Sequence, residues 1–127
     1  MNNIWTDSLD SLTYFFLFYA DGRGVFPGRC VCEFVTYITN LDLLLCDPDS
    51  ELDEQKTEVR KAVGLALEDY MSYQRMSHAD VLRLKQYIRK FCDDEMIVTE
   101  KVIGWYSDLI DDVYASVQIG KVWWKNA

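Results

Sequence analysis

The sequence has little of the material from which catalytic and metal sites are built. It contains one histidine, His78, and none of its four cysteines shows the C-x₂₋₄-C spacing typical of zinc sites. It has no G-x-S-x-G, no H-E-x-x-H, no P-loop and no dinucleotide fingerprint. Because a Cys–His or Ser–His nucleophile pair would depend on His78 alone, we predict that the chain is not an enzyme and holds no metal or cofactor.

Basic residues are also scarce, with Lys+Arg 13 against Asp+Glu 21, a formal net charge of −8 and a pI near 4.5. Binding to the phosphates of nucleic acid takes clustered Lys and Arg, and an anionic membrane attracts the same residues. The composition therefore argues against both kinds of partner. It favours a cationic partner, since opposite net charge speeds the encounter of two proteins.

The chain shows neither an export signal nor a long apolar run. No Lys or Arg precedes Arg23, and Asp7 and Asp10 stand where a signal peptide has its basic residues. Residues 14–20 are apolar, but this run is too short to span a bilayer, which takes about 20 residues. We expect a cytoplasmic protein whose residues 14–20 lie in a buried first helix, with a membrane-surface helix as the alternative.

The four cysteines do not form the pattern of a disulfide framework. They are Cys30, Cys32, Cys46 and Cys92, and the first two are too close in sequence for an easy bridge between them. Cytoplasmic proteins keep their thiols reduced, and a free cysteine packs as a small apolar side chain. We therefore expect reduced and mostly buried thiols, with a disulfide or a bound metal as the alternative.

Helix breakers are few, since the sequence holds two prolines and six glycines while 50% of its residues are hydrophobic. A chain of 127 residues has the usual length of one domain and buries about two-thirds of its unfolded surface. Apolar residues recur at helical spacing in five segments, and both prolines fall between them. The sequence predicts a single all-α domain over residues 1–127, an irregular antiparallel bundle of about five helices.

Four of the segments have a clear apolar stripe. The stripes are Leu9, Leu12, Phe16 and Tyr19; Val59, Val63, Ala66, Leu67 and Tyr70; Val81, Leu84, Tyr87, Ile88 and Phe91; and Ile103, Tyr106, Ile110, Val113 and Val117. A break is predicted near Arg75, followed by a capping box in which Ser77 faces Asp80. Gly120 is predicted to close the last helix.

The remaining segment, residues 29–46, fits either a helix or a strand. Several of its residues are β-branched and suit a strand. Strict alternation of polar and apolar residues is absent, however, so we predict a helix. It should end before Pro48, because the residue preceding a proline is pushed out of the α region.

The first candidate site is an acidic run over residues 42–54, which contains no basic residue. Its acids are Asp42, Asp47, Asp49, Glu51, Asp53 and Glu54. An EF-hand interpretation fails because the sixth loop position must be glycine and is Leu52 here. The run suits a solvated helix start, where the helix dipole favours anions. A docking patch for a basic partner is the alternative, and we keep the five acids from Asp47 to Glu54 as candidate partner-binding residues.

The second candidate site lies in residues 93–112, which carry seven acids and one base. The candidate residues are Trp105, Asp108, Asp112, Asp93, Asp94 and Glu95. On a helical wheel Trp105 falls about 100° from the centre of the core stripe, and Asp108 and Asp112 fall beside it toward solvent. Because tryptophan is enriched at binding hot spots, we predict an interface anchor. The alternative is a boundary tryptophan that packs its ring and leaves its N–H in water.

Two further features have simpler interpretations. Residues 81–92 are basic, with Arg83, Lys85, Arg89 and Lys90 and no acid. We predict that they pair with neighbouring acidic helices rather than with phosphates. The tail contains Trp123 and Trp124 in succession, which either fold back onto the core, as we expect, or form a docking element.

In size, acidity, apolar core and lack of a catalytic motif or export signal, the chain resembles the small cytosolic immunity proteins that bacteria keep beside secreted or contact-delivered toxins. The resemblance is one of overall character across the chain. It implies a protein that binds and neutralises one cognate basic toxin domain, in many such systems a nuclease, with no direct contact to nucleic acid or membrane. It implies a heterodimer, with a homodimer as the alternative.

Three other functions remain open from the sequence. One is a phage-encoded acidic mimic of nucleic acid that inhibits a host defence nuclease. Another is an enzyme or metal-binding domain, which would need a pocket in which His78, a cysteine and carboxylates converge. The third is a helical subunit of a larger assembly, attached through Trp123 and Trp124.

Overall fold

The computed structural model describes residues 13, 14, 16, 17, 28–46, 53–95, 100–120 and 123, and these ranges are helical with short turns. The helices with defined bounds are α1 (Gly28–Cys46), α2 (Asp53–Gln74), α3 (His78–Asp94) and α4 (Glu100–Gln118). The described ranges contain no strand, so the all-α prediction is confirmed. They hold four such helices rather than about five. The described residues near position 15 are helical where the first helix was predicted.

The ambiguous segment 29–46 is a helix. Phe34, Ile38 and Leu41 are buried along one face of α1, and this helical spacing lets them reach the core together. The β-branched threonines are accommodated because their hydroxyls donate to helix carbonyls one turn back, from Thr36 to Cys32 at 3.1 Å and from Thr39 to Val35 at 2.9 Å. The helix ends before Pro48, as predicted.

The break between α2 and α3 is set by Arg75 and Ser77. Arg75 has φ 51°, a left-handed conformation in which a helix cannot continue. Ser77 then caps α3: its hydroxyl accepts the backbone N–H of Asp80, and the Asp80 carboxylate accepts the backbone N–H of Ser77 at 2.9 Å. The predicted break and capping box are confirmed.

α4 is the central helix, and it packs against α1, α2 and α3. Its buried side chains are Val102, Ile103, Tyr106, Leu109, Ile110 and Val113, a stripe wide enough to face several neighbours at once. Gly120 follows with φ 71°, which glycine adopts without steric cost. The closing role predicted for Gly120 is confirmed.

Side-chain contacts fix the directions of the helices around α4. Arg89 bonds Glu100 at one end of the α3–α4 pair, and the His78 ring lies 6.3 Å from that of Tyr114 at the other, so these helices are antiparallel. α2 and α4 are parallel, because Arg60 bonds Asp112 while Met71 and Val117 line one cavity further along. α3 therefore runs opposite to both α2 and α4, which are parallel neighbours.

Phe16 and Thr13 close the core between α3 and α4. The Phe16 ring meets Phe91 and Tyr106 edge-on, with centroids 5.5 Å and 5.7 Å apart. The Thr13 hydroxyl and the Tyr106 phenol form a buried hydrogen bond of 3.3 Å. That bond satisfies two polar groups that would otherwise be costly to bury.

Trp123 folds back onto α2, as predicted for the tail. It is only 4% exposed, its backbone N–H donates to Glu68 at 2.6 Å, and the Arg60 guanidinium lies 5.0 Å from the centre of its ring. The ring occupies the space where a side chain at Gly64 would stand. The same prediction for Trp124 lies outside the described residues.

Two helix-interior glycines should respond to alanine in opposite ways. Gly64→Ala forces its methyl group into the Trp123 ring, so we expect the free energy of unfolding to fall by about 1–3 kcal/mol. Gly104→Ala meets no atom within 4 Å, so its better helix propensity should raise stability by about 0.5–1 kcal/mol. Urea unfolding of both variants measures the two changes, and equal effects would contradict this placement of Trp123.

The capping box should make stability depend on pH. Hydrogen bonds first from the Ser77 backbone and then from its hydroxyl lower the pKa of Asp80. A lowered folded-state pKa stabilises the fold above the unfolded value of about 3.9, and this contribution is lost as pH falls through the folded pKa. Asp80→Asn should therefore cost about 0.5 kcal/mol near neutral pH, since solvent screens the exposed cap, and progressively less as the pH falls below the unfolded value and through the folded pKa. Urea unfolding over a series of pH values from neutral into acid tests this, and a cost that does not decline in acid would contradict it.

Candidate functional site

Among the described residues, the side chains that could bind a metal do not cluster. No group of three or more His, Cys, Asp or Glu side chains in these ranges is placed to hold a metal ion. His78 is exposed at the start of α3, where its ring lies beside that of Tyr114. No described helix is long and apolar enough to cross a membrane.

The prediction that the cysteines are mostly buried is wrong for the described ones. Cys92 is buried, whereas Cys32 and Cys46 are exposed, and all three are free thiols. The two exposed residues lie on the outer side of α1, because Phe34, Ile38 and Leu41 occupy the side that faces the core. The helical period places them there in spite of their apolar character.

The first acidic run is only partly within the described ranges. Glu54 is exposed and Asp53 begins α2, while Asp47, Asp49 and Glu51 lie outside the described residues. Because Asp53 opens α2 and α2 runs parallel to α4, the end of the first acidic run lies toward the end of the bundle at which α4 begins.

The second acidic stretch is largely engaged by the chain's own cations. The pairs are Lys90–Asp94 at 3.2 Å, Arg89–Glu100 at 3.1 Å, Lys85–Asp111 at 2.6 Å and Arg60–Asp112 at 2.5 Å. Two of these pairs join α3 to α4, so the prediction that the basic helix pairs with an acidic neighbour is confirmed. Each exposed pair contributes only about 0.2–1 kcal/mol, but each also removes a carboxylate from the set available to a partner.

Arg89 and Glu100 form a bidentate ion pair. Two parallel hydrogen bonds from the guanidinium reach the two carboxylate oxygens. These bonds first, and the Arg89 charge second, lower the pKa of Glu100, and they raise the pKa of Arg89 in return. Such forked pairs also hold their geometry better than a lysine contact does.

Asp93, Glu95 and Asp108 remain exposed, and none of them forms an ion pair with another described residue. Asp108 lies one turn after Trp105 on α4. Trp105 is half-buried, packs against the core and meets Tyr106 edge-on with centroids 5.0 Å apart. The ring is thus partly used in folding, while its remaining surface stands beside an unpaired carboxylate.

A feature that the sequence interpretation missed lies one residue before Trp105. Gly104 opens a cavity of about 240 Å³ between α3 and α4, here called the Gly104 notch. Ile88 and Ile103 are buried beneath it. Its polar rim consists of Lys85, Arg89, Glu100 and Ser107. The signal available in the sequence was the isolated glycine itself, which costs a helix interior about 0.5–1 kcal/mol.

Asp112 contributes to the fold through its ion pair with Arg60, whereas Asp108 forms no such pair with a described residue. Asp112→Lys sets two cations against each other and pulls Arg60 from the Trp123 ring, so we expect stability to fall by about 1 kcal/mol. Asp108→Lys breaks no ion pair or hydrogen bond with a described residue, so it should change stability by less than about 0.5 kcal/mol. Urea unfolding, with the indole NMR signal of Trp123 as a local probe, distinguishes the two. A displaced Trp123 signal in Asp108→Lys would contradict this assignment.

No protein-family model, no curated protein and no solved structure matches the chain.

Proposed function

We propose that this chain is an immunity protein that binds one cognate cationic toxin domain, a nuclease by preference, and neutralises it in a stoichiometric complex in the cytoplasm. The observation that carries the proposal is the surface around Trp105. There the chain's own cations engage the neighbouring acids, yet Asp108 stays exposed, without an ion pair to any described residue, beside the half-buried indole. An indole flanked by an uncompensated carboxylate suits a protein partner that is basic.

The mode of action is steric and electrostatic rather than catalytic. A net charge of −8 attracts a basic domain from a distance and speeds productive encounter. Contact then buries the exposed part of Trp105, and the bound inhibitor covers the toxin's active site or substrate groove. The inhibitor itself needs no catalytic group for this action.

Two of the alternatives fit the described surface less well. A mimic of nucleic acid needs free carboxylates in a regular row, but Asp111 and Asp112 are bonded to Lys85 and Arg60. In a subunit attached through Trp123 and Trp124, Trp123 is not available, because its ring is buried in its own chain, and Trp124 lies outside the described residues. The inhibitor proposal uses groups that the structure leaves exposed.

Affinity capture from the native host tests the proposal. The tagged full chain should retain one basic protein at equimolar ratio, and the purified pair should lack the nuclease or other toxic activity that the partner shows alone. Deletion of the gene should sensitise cells to neighbours that make the toxin. Capture of no cationic partner, together with unchanged resistance, would remove the proposal.

Asp108→Lys should slow association with that partner at low ionic strength. One reversed charge at the contact should lower the association rate constant about 3–10-fold, and added salt should narrow the difference. Asp69→Lys is the matched control, because Asp69 is exposed on α2 and forms no ion pair with another described residue, and the substitution changes the net charge equally. Stopped-flow or biolayer kinetics measures both rates. Equal slowing by the two variants would place the contact elsewhere.

A further inference from the structure

Gly64 and Gly104 both lie inside helices, but the contacts of the described chain require a glycine only at Gly64. A side chain at Gly64 would collide with the Trp123 ring, so the fold itself requires glycine there. A side chain at Gly104 would meet no atom within 4 Å. Glycine in a helix costs about 0.5–1 kcal/mol relative to alanine, and at Gly104 no contact made by the described chain offsets this cost.

What glycine does at this position is leave the Gly104 notch open. Its volume of about 240 Å³ lies below the roughly 300–1,000 Å³ of pockets that take metabolites and drugs. It suits one large side chain. The buried Ile88 and Ile103 give it an apolar floor, so a hydrophobic group is favoured there.

The charges at the rim favour a neutral occupant. Arg89 is bonded to Glu100, and Lys85 is bonded to Asp111. A cationic or anionic side chain entering the notch would have to compete with one of these pairs. A neutral group leaves both intact, and the closed pairs then shield it from water, as the rim of a binding hot spot does.

The Gly64 site supplies a template for the geometry within the same chain. There the Trp123 indole ring lies on Gly64 beside the Arg60 guanidinium. The backbone N–H of Trp123 donates to Glu68, four residues after Gly64. The Gly104 notch has related parts. Arg89, contributed by the neighbouring α3, stands at its rim. Asp108, four residues after the glycine, does not line the notch, but it is exposed on the same helix and forms no ion pair with another described residue.

We propose that the Gly104 notch receives one aromatic side chain, of the tryptophan type, from the protein partner, while Asp108 accepts an N–H of that residue. This inference rests on the proposed function, because it names the side chain by which the inhibited partner is held. The ring lies on the exposed backbone of Gly104 and over Ile88 and Ile103. Aromatic anchors of this kind carry much of the binding energy of protein interfaces.

An NMR titration of the full chain with N-acetyl-tryptophanamide tests the notch without the partner. Saturable shifts of backbone amides should centre on Ile103, Gly104 and Ser107, with a Kd in the millimolar range expected for a small fragment. Gly104→Leu should weaken the interaction at least about tenfold by filling the notch. Gly104→Ala should have an intermediate effect, and it keeps the test valid if the larger substitution disturbs the fold.

Two controls give the experiment its specificity. Ala115→Leu adds the same side chain at another exposed position of α4 and should leave the affinity unchanged. Asp108→Ala should weaken binding about 2–5-fold if that carboxylate accepts an N–H. Equal losses in Ala115→Leu and Gly104→Leu would overturn the proposal.

Other outcomes also decide against it. Tighter binding of N-acetyl-argininamide at the same amides would assign the notch to a cation, and the absence of saturable shifts would remove it as a binding site. Neither result bears on capture of a cationic partner by the full chain. Conversely, an aromatic amide that binds as expected while no cationic partner is captured would retain the notch and discard the immunity function.

Discussion

The whole molecule depends on the burial of one wide apolar face of α4. Six of its side chains are removed from water, each worth about 1.5–3 kcal/mol relative to exposure, and they contact helices on several sides. Because the described core surrounds most of this helix, its exposed residues form a narrow strip on the side away from the core. Trp105 lies at the edge between core and strip, and Gly104 and Asp108 lie on the strip itself.

The same arrangement sorts the acidic residues into two roles. Those facing a neighbouring helix, such as Asp111 and Asp112, meet Lys85 and Arg60 and help to hold the helices in register. Asp108 is exposed and forms no ion pair with another described residue. Net charge alone does not separate these roles, since it counts a bonded and an unbonded carboxylate equally.

Two helix-interior glycines leave space beside their helices, and an aromatic ring fills that space at one of them. At Gly64 the absence of a side chain lets Trp123 lock the tail onto α2. At Gly104 the same absence leaves an empty place of similar surroundings on the surface. One local device, a helix glycine with a carboxylate one turn later and a guanidinium beside it, thus serves the fold in one place and recognition, as we infer, in the other.

The sequence by itself determined the helical class, the break at Arg75, the capping box of Ser77 and the closure at Gly120, because these features depend on local periodicity and backbone preference. It also predicted the pairing of the basic helix and the return of Trp123. Only the tertiary structure decided which acids are paired, that Cys32 and Cys46 face outward, and that Gly104 opens a notch. Those outcomes depend on which helix lies opposite each side chain, and a contact between residues as distant in sequence as Arg60 and Asp112 leaves no local pattern.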